Sequence, residues 1–152
     1  MTPSSTDIVR KQVSLKASPA RVWQALADAR EFGAWFRVNV EGPFVVGQPA
    51  EGFITHPGYE HLRWRIVVEA MEPESRFAFR WHPYAVDPAI DYASEAPTHV
   101  EFRLETEGSG TLLTVTESGF DRLPAHRREL AYRMNDGGWA AQMDNLRAHV
   151  DA

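Results

Sequence analysis

The chain has 152 residues, a formal net charge of −5 and 43% hydrophobic residues, which corresponds to one domain with a sizeable core. The acidic excess, without any basic run, argues against nucleic-acid binding, and no apolar stretch approaches the ~18 residues that cross a bilayer. Because no apolar signal segment follows Met1 either, we expect a cytoplasmic protein that binds neither nucleic acid nor membrane.

The composition contains no cysteine, but it includes eight Phe, five Trp and four Tyr. Without cysteine the protein has no disulfide, no thiol nucleophile and no cysteine-ligated metal. The many aromatic residues indicate a core or a cavity built from large flat side chains.

The first elements along the chain are a strand and two short helices. After a flexible tail over residues 1–7, apolar and polar residues alternate over 9–15, as in a half-buried strand. Ser18-Pro19 then starts a helix, because serine caps free N–H groups and proline presets φ. A second short helix is predicted over residues 31–36.

The middle of the chain is predicted to be a series of about six strands. Period-two alternation is clearest over residues 62–69, 77–81, 99–104 and 113–117, and the strands are joined by short turns. Such an order favours an antiparallel sheet with one face to be covered. Residues 83–97, rich in proline and acidic residues, form a long loop that is a candidate lid or binding loop.

The last element is a long helix from about Pro124, with Gly137-Gly138 at its centre. Each glycine costs roughly 1 kcal/mol relative to alanine inside a helix. Two apolar arcs lie on this helix. The first contains Tyr132, Trp139, Met143, Leu146 and Val150, and the second contains Leu130, Ala131, Met134, Gly138 and Ala141. Two arcs favour one continuous helix kinked at the glycines; the alternative is a helix that ends there with Gly137 as its C-cap.

Three segments together carry a resemblance to a known family. SPARVWQAL (18–26), TESGF (116–120) and NDGGW (135–139) resemble the START-like (SRPBCC) superfamily. More narrowly, they resemble its branch named after the C-terminal domain of the activator of the ninety-kilodalton heat-shock protein's ATPase. The resemblance covers the chain from about Val9 to Val150.

This resemblance implies an α+β helix-grip fold in a single domain over residues 8–152. In that fold a curved antiparallel sheet of six to seven strands wraps around a long C-terminal helix, with two short helices after the first strand. A cavity lies between sheet and helix. The superfamily includes lipid and hormone binders, aromatic cyclases and chaperone partners, so the fold leaves the function open.

The alternation places the carboxylate of Glu117 on the inner face, two residues beyond Val115. There it would be partly desolvated and could carry a proton or anchor a ligand. The alternative is that Glu117 ends its strand, pairs with an arginine or reaches solvent, and has no chemical role. It is therefore a weak catalytic candidate.

The aromatic residues are the strongest signal for a binding site, although aromatic residues also build ordinary cores. The candidate ligand-binding residues are Trp35, Trp64, Phe79, Trp81, Glu117, Met134 and Gly138. Gly138 is included because a glycine lets the backbone approach the sheet or a ligand closely. An apolar pocket with one or two polar groups is the usual form of a small-molecule site, with a volume above ~300 Å³.

No cofactor or metal motif is present. His56, His61, His82 and His99 show no metal-ligand spacing, and there is no nucleophile elbow, phosphate-binding loop or dinucleotide fingerprint. We therefore expect non-catalytic binding of a small apolar or aromatic molecule, by a monomer or a homodimer. A chaperone-interacting protein of the heat-shock ATPase activator type is the alternative, and a cyclase- or hydrolase-like enzyme using Glu117 is the third possibility.

Overall fold

The computed structural model describes residues 7–83 and 92–151. The helices and strands follow one another in this order: β1 (Ile8–Leu15), α1 (Pro19–Ala27), α2 (Ala29–Phe36), β2 (Val38–Glu41), β3 (Pro49–Ile54), β4 (Arg63–Glu72), β5 (Arg76–Trp81), β6 (Thr98–Glu107), β7 (Gly110–Ser118) and α3 (Ala125–Val150). Two 3₁₀ turns, Tyr92–Ser94 and Phe120–Arg122, precede β6 and α3 respectively.

The seven strands form one antiparallel sheet in the order β1-β7-β6-β5-β4-β3-β2. The register of β4 against β5 shifts between Val68 and Ala70, which is the kind of irregularity that bends a strand. Because α1 and α2 join the two edge strands, β1 and β2, the chain crosses the whole sheet early. The predicted α+β helix-grip fold, with its curved sheet and long C-terminal helix, is confirmed.

Both short helices begin at side-chain caps. Ser18 Oγ accepts from Arg21 N at 3.3 Å, as predicted for the start of α1. The helix α2 begins two residues earlier than predicted, because Asp28 Oδ1 accepts from the backbone N–H groups of Arg30 and Glu31 at 2.9 and 3.1 Å. An aspartate in this position satisfies two of the N–H groups that a helix start leaves free.

The core lies between the inner face of the sheet and the three helices. Phe77, Phe79, Phe102 and Val115 on the central strands are 0% exposed, and α3 lies against β1, α1 and α2. Alternate strand residues supply these side chains because successive residues of a strand point to opposite faces. The aromatic excess of the composition is therefore mostly core.

The C-terminal helix continues without a break through Gly137-Gly138, so the C-cap alternative is wrong. It buries one face, with Trp139, Met143 and Leu146 at 4% exposure or less. The second apolar arc does not form a second buried face: Ala131 is buried, whereas Leu130, Met134, Gly138 and Ala141 are exposed. A Cβ added at either glycine would meet no heavy atom within 4 Å, so close approach to the sheet is not the reason for the pair.

Gly137→Ala is therefore expected to stabilise the protein. The alanine methyl group would meet open space, and alanine loses less backbone entropy in a helix, so the free energy of unfolding should rise by about 0.5–1 kcal/mol. Chemical denaturation measures this change. Ala140→Gly, at another exposed position of α3, is the matched control and should shift stability by a similar amount in the opposite direction. A neutral or destabilising Gly137→Ala would contradict this account of the helix.

Glu31 ties the three helices together, since its Oε1 lies 2.7 Å from Arg21 Nη1 of α1 and 2.9 Å from His149 Nε2 of α3. Burial alone raises the pKa of Glu31, but the hydrogen bonds from His149 and Arg21 outweigh it, and the pKa lies below its ordinary value of 4.5. Because this pKa is lowered on folding, the contacts of Glu31 contribute fully to the free energy of unfolding above about pH 4.5. That contribution is lost as the pH falls through the pKa of Glu31 in the folded protein.

Glu31→Gln should therefore lower the free energy of unfolding at pH 7, by up to about 1 kcal/mol because the ion pairs are partly exposed. The difference from the unaltered protein should shrink as the pH falls below 4.5 and through the lowered pKa of Glu31 in the folded protein. Denaturant unfolding at several pH values measures it. Glu129→Gln, an exposed position on α3, is the control and should change little at any pH. A Glu31→Gln effect that grows in acid would contradict the assignment.

Two sequence expectations fall partly outside the described residues. Of the tail predicted over residues 1–7, residues 1–6 lie outside, whereas the backbone carbonyl of Asp7 accepts from Gly119 N at 3.2 Å. Of the loop predicted over residues 83–97, residues 84–91 lie outside. None of the helices in the described part of the chain has the length and apolarity needed to span a bilayer.

Candidate functional site

Glu117 lies on the inner face of β7 beneath α3 and is 0% exposed. In the ladder it stands between Val9 of β1 and Val100 of β6. Thr98 and Trp81 face each other at the adjacent ends of β6 and β5. Since residues two apart on a strand share a face, Thr98 lies on the same side of the sheet as Val100 and beside Glu117.

The carboxylate of Glu117 accepts four hydrogen bonds, two at each oxygen. Oε2 accepts from Trp81 Nε1 at 2.7 Å and from the Thr98 hydroxyl. Oε1 accepts from Asn135 Nδ2 at 2.9 Å and from Trp139 Nε1 at 2.8 Å. A carboxylate has about four lone-pair sites, so the acceptor capacity of Glu117 is fully used. All four donors are neutral groups, and they come from two strands and from α3.

This network fixes the orientation of the side chains around Glu117. A carboxylate only accepts, so Asn135 turns its NH₂ group toward Glu117 and its Oδ1 away. The indoles of Trp81 and Trp139 have one polar atom each, and Glu117 binds both. The two rings are therefore held between sheet and helix, and neither has a hydrogen-bonding group left for a ligand.

An open pocket lies beside these rings, and we call it the inner pocket. It is lined by Phe36, Trp81, Asn135, Gly138, Trp139 and Gln142 and has a volume of about 170 Å³. The ring centroids of Phe36 and Trp81 are 6.1 Å apart, those of Phe36 and Trp139 6.0 Å, and those of Trp81 and Trp139 5.8 Å. Three aromatic rings thus form a continuous wall. Gln142 Nε2 donates to the Phe36 carbonyl at 3.0 Å and ties the end of α2 to α3.

Three of the candidate ligand-binding residues meet at this place. Trp81 and Gly138 line the inner pocket, and Glu117 lies behind its indole wall. Gly138 is exposed, and a Cβ there would meet no atom within 4 Å. The glycine therefore leaves space that a side chain would occupy.

The other four candidates lie elsewhere. Trp35, Trp64 and Phe79 are 3%, 5% and 0% exposed and belong to the core. Trp35 Nε1 donates to the Ala25 carbonyl at 2.9 Å, which joins α1 to α2. Met134 is 46% exposed on α3. None of these four is among the residues that line the inner pocket.

Sequence reasoning missed several residues of this site: Phe36, Thr98, Asn135, Trp139 and Gln142, of which Trp139 was assigned to the core stripe of the helix. One signal was available, since Asn135, Trp139 and Gln142 follow helical spacing on one face of α3, and Asn135 interrupts an apolar stripe. A polar residue within such a stripe suggests a buried partner. Phe36 and Thr98 gave no comparable signal, because an aromatic helix residue and a strand threonine are common in any core.

Arg127, at the start of α3, holds both described ends of the candidate lid. Its Nη1 donates to the Pro83 carbonyl at 2.9 Å, and its guanidinium pairs with Glu95 at 2.7 Å. The guanidinium also lies over the Tyr92 ring, 4.8 Å from the centroid. Because the Arg127 and Glu95 side chains are each only 10% exposed, this is a nearly buried ion pair.

Two of the four histidines weighed as metal ligands, His56 and His99, make local contacts. The His56 ring lies 5.5 Å from the Tyr59 ring, and His99 Nδ1 lies 2.9 Å from Glu69 Oε1 on the outer face of the sheet. Within residues 7–83 and 92–151, no three His, Asp or Glu side chains are arranged to hold a metal ion.

A curved antiparallel sheet that holds a long C-terminal helix, with a pocket between the two, defines the START-like class of proteins. The chain belongs to the family described as "Activator of Hsp90 ATPase homolog 1-like protein", whose sequence model matches residues 16–151. The predicted family membership is thus confirmed. No curated protein sequence matches the chain significantly.

Solved structures share the fold over nearly the whole chain. A protein from Mesorhizobium loti is 23% identical with a TM-score of 0.74, over 95% of this chain and 96% of that one. The Aha1 dimer of Colwellia psychrerythraea, a solution structure, is 19% identical with a TM-score of 0.70, over 95% and 96%. DynU16, from the dynemicin biosynthetic locus, is 25% identical with a TM-score of 0.74; the match covers 99% of this chain and 48% of DynU16.

Proposed function

We propose that this protein binds a small apolar or aromatic molecule in the inner pocket and does not change it chemically. The observation that carries the proposal is the wall of three aromatic rings, two of which are fixed by hydrogen bonds to Glu117. Rings that are already held in place lose little entropy when a ligand packs against them, which favours binding. Asn135 adds one polar group that can orient the ligand.

The size of the pocket limits the ligand. The inner pocket measures about 170 Å³, less than the ~300 Å³ expected for a drug-sized ligand. A cavity of roughly 150 Å³ accommodates a benzene molecule. The part of the ligand that enters the inner pocket is therefore about one ring in size, and any larger part lies outside it.

The test uses the indole N–H signals of the five tryptophans in a ¹⁵N-resolved NMR spectrum, titrated with phenol and with benzyl alcohol. We expect the signals of Trp81 and Trp139 to shift, because these rings line the inner pocket. Trp35 and Trp64, at 3% and 5% exposure in the core, serve as internal controls and should not shift. Single Trp→Phe variants assign the signals.

The proposal fails if no indole signal moves at saturating probe, or if the core tryptophans shift as much as Trp81 and Trp139. Native mass spectrometry of the protein purified from its own host provides a second measurement. A retained small molecule whose mass is lost in a variant with a filled inner pocket would support the proposal and would identify the ligand.

A chaperone-interacting role is the alternative, and membership of a family described by the Hsp90 ATPase activator favours it. A cytoplasmic location and a part in the stress response belong with this alternative and stay predictions, as does the choice between monomer and homodimer. The measurement is the ATPase rate of the host's Hsp90 with and without this protein. An unchanged rate would dispose of the alternative.

A cyclase- or hydrolase-like reaction at Glu117 is the third possibility. A general base needs a free lone pair within reach of the substrate. Glu117 already accepts four hydrogen bonds, so it would have to lose one of them first. A structural role, in which the Glu117 carboxylate anchors the indole rings of Trp81 and Trp139, is therefore the better account of this residue.

A further inference from the structure

A second concave space, which we call the outer groove, adjoins the inner pocket. The outer groove has a volume of about 390 Å³ and is lined by Phe36, Arg37, Ile54, His56, Gly138, Ala141, Gln142 and Asn145. Phe36, Gly138 and Gln142 line both spaces, so the two spaces adjoin at these residues, and a single molecule that extends from one to the other would have to pass them. This inference rests on the proposed function and names the chemical class of its ligand.

We propose that the ligand is an aromatic acid, with its ring in the inner pocket and its anionic group in the outer groove at Arg37 and His56. The outer groove has the donors for such a group. Arg37 supplies a guanidinium, which matches a carboxylate with two parallel N–H bonds. His56 supplies a ring N–H in either tautomer. The described lining of the groove contains no carboxylate.

The backbone holds Arg37 and His56 close to one another. Arg37 ends α2 with its N–H donating to the Gly33 carbonyl at 2.9 Å, and its own carbonyl accepts from Thr55 N at 2.9 Å. Thr55 directly precedes His56, so the end of α2 and the end of β3 are joined at this point. The two side chains thus border the same groove from different elements.

Arg37 also adopts an unusual backbone conformation, with φ at 72° and ψ at 53°. Helices commonly end with a residue in this left-handed region, usually glycine or asparagine, so the conformation of Arg37 belongs to the end of α2. The guanidinium is the group that Arg37 adds to the outer groove.

The charges of Glu117 and Arg37 determine the orientation of the bound ligand. Three of the four donors to the Glu117 carboxylate, Trp81, Asn135 and Trp139, line the inner pocket and not the outer groove, whereas Arg37 and His56 line the outer groove and not the inner pocket. An anion is therefore disfavoured next to Glu117 and favoured beside Arg37. In the bound ligand the ring therefore lies in the inner pocket, and the anionic group lies in the outer groove.

The test compares three probes with one phenylpropyl skeleton: 3-phenylpropanoate, the neutral 3-phenylpropanamide and the 3-phenylpropylammonium ion. Affinities are measured by calorimetry at pH 7. The anion should bind about tenfold more tightly than the amide, as one charge-assisted contact implies. The ammonium ion should bind most weakly.

Variants at Arg37 test whether its guanidinium carries the preference for the anion. Arg37→Gln should reduce the advantage of the anion over the amide to about twofold without weakening the amide. Arg37→Lys keeps the charge but loses the two parallel N–H bonds, so it should keep only part of that advantage. Arg30→Gln removes the same charge from an exposed position of α2 that lines neither space. It should leave all three affinities unchanged.

The outcomes distinguish the two proposals. If the three probes bind equally well and shift the Trp81 and Trp139 signals, the pocket binds ligands but the inference about an anion is wrong. Tightest binding of the ammonium ion would overturn it as well. If no probe binds and no indole signal moves, both the proposed function and this inference fail.

Discussion

Glu117→Gln is expected to lower the free energy of unfolding by about 2–4 kcal/mol. An amide replaces one acceptor oxygen with an NH₂ group. If the NH₂ takes the place of Oε2 it faces the Trp81 N–H, and if it takes the place of Oε1 it faces the Trp139 N–H. Thr98 can rotate its hydroxyl and Asn135 can turn its amide, but an indole nitrogen only donates.

One indole N–H and one amide N–H are therefore left buried without an acceptor in either arrangement, and each such group costs about 1–3 kcal/mol. Removing the buried negative charge offsets part of that cost, because a charge is expensive to keep away from water. The net effect stays destabilising, since the charge has four well-placed donors in the folded protein.

Denaturant unfolding measures the loss, and the indole N–H signals identify its cause. Glu105→Gln, at an exposed position of β6, is the matched control and should stay within about 0.5 kcal/mol of the unaltered protein. In Glu117→Gln, the signal of Trp81 or Trp139 should move while that of Trp35, which donates to the Ala25 carbonyl, stays in place. A Glu117→Gln variant as stable as the control would refute the anchoring role.

Gly138→Leu should weaken ligand binding at least tenfold while leaving the fold intact. A Cβ at position 138 meets no heavy atom within 4 Å, so the backbone can accept the side chain without strain. The leucine would then extend into space shared by the inner pocket and the outer groove. Helix propensity should raise the free energy of unfolding by roughly 0.5–1 kcal/mol.

Gly137→Leu is the matched control for this variant. Gly137 has the same helical setting and the same open surroundings, but it lines neither the inner pocket nor the outer groove. It should gain the same stability and bind the 3-phenylpropanoate probe with unchanged affinity. Equal binding by the two variants would show that the probe occupies another site, and a collapse of the Gly138→Leu fold would contradict the open geometry at this glycine.

Much of the fold was readable from the sequence because it depends on local patterns. Alternation predicted the long strands, and Ser18-Pro19 predicted the start of α1. The resemblance supplied the family and the arrangement of helix and sheet. The candidate site was only partly readable. Trp81 and Gly138 line the inner pocket and Glu117 lies behind its indole wall, while Trp35, Trp64 and Phe79 belong to the core and Met134 is exposed.

The sequence by itself determined which side chains share a face, because the periods of strand and helix are properties of the backbone. Strand parity places Glu117 on the inner face, and helix period places Trp139 toward the sheet. Only the tertiary structure decided which faces meet and at what depth. It brought one carboxylate of β7 within reach of donors from β5, β6 and α3.

The pair Gly137-Gly138 also shows the difference between what the local sequence determines and what the tertiary structure determines. Its cost to the helix is a local property and was visible in the sequence. The space left by the two absent side chains could be filled by the sheet, could allow the helix to bend or could be open to a ligand. Which of these holds depends on atoms from elements distant in the chain. Those atoms leave open space at Gly138, next to a wall built from α2, β5 and α3.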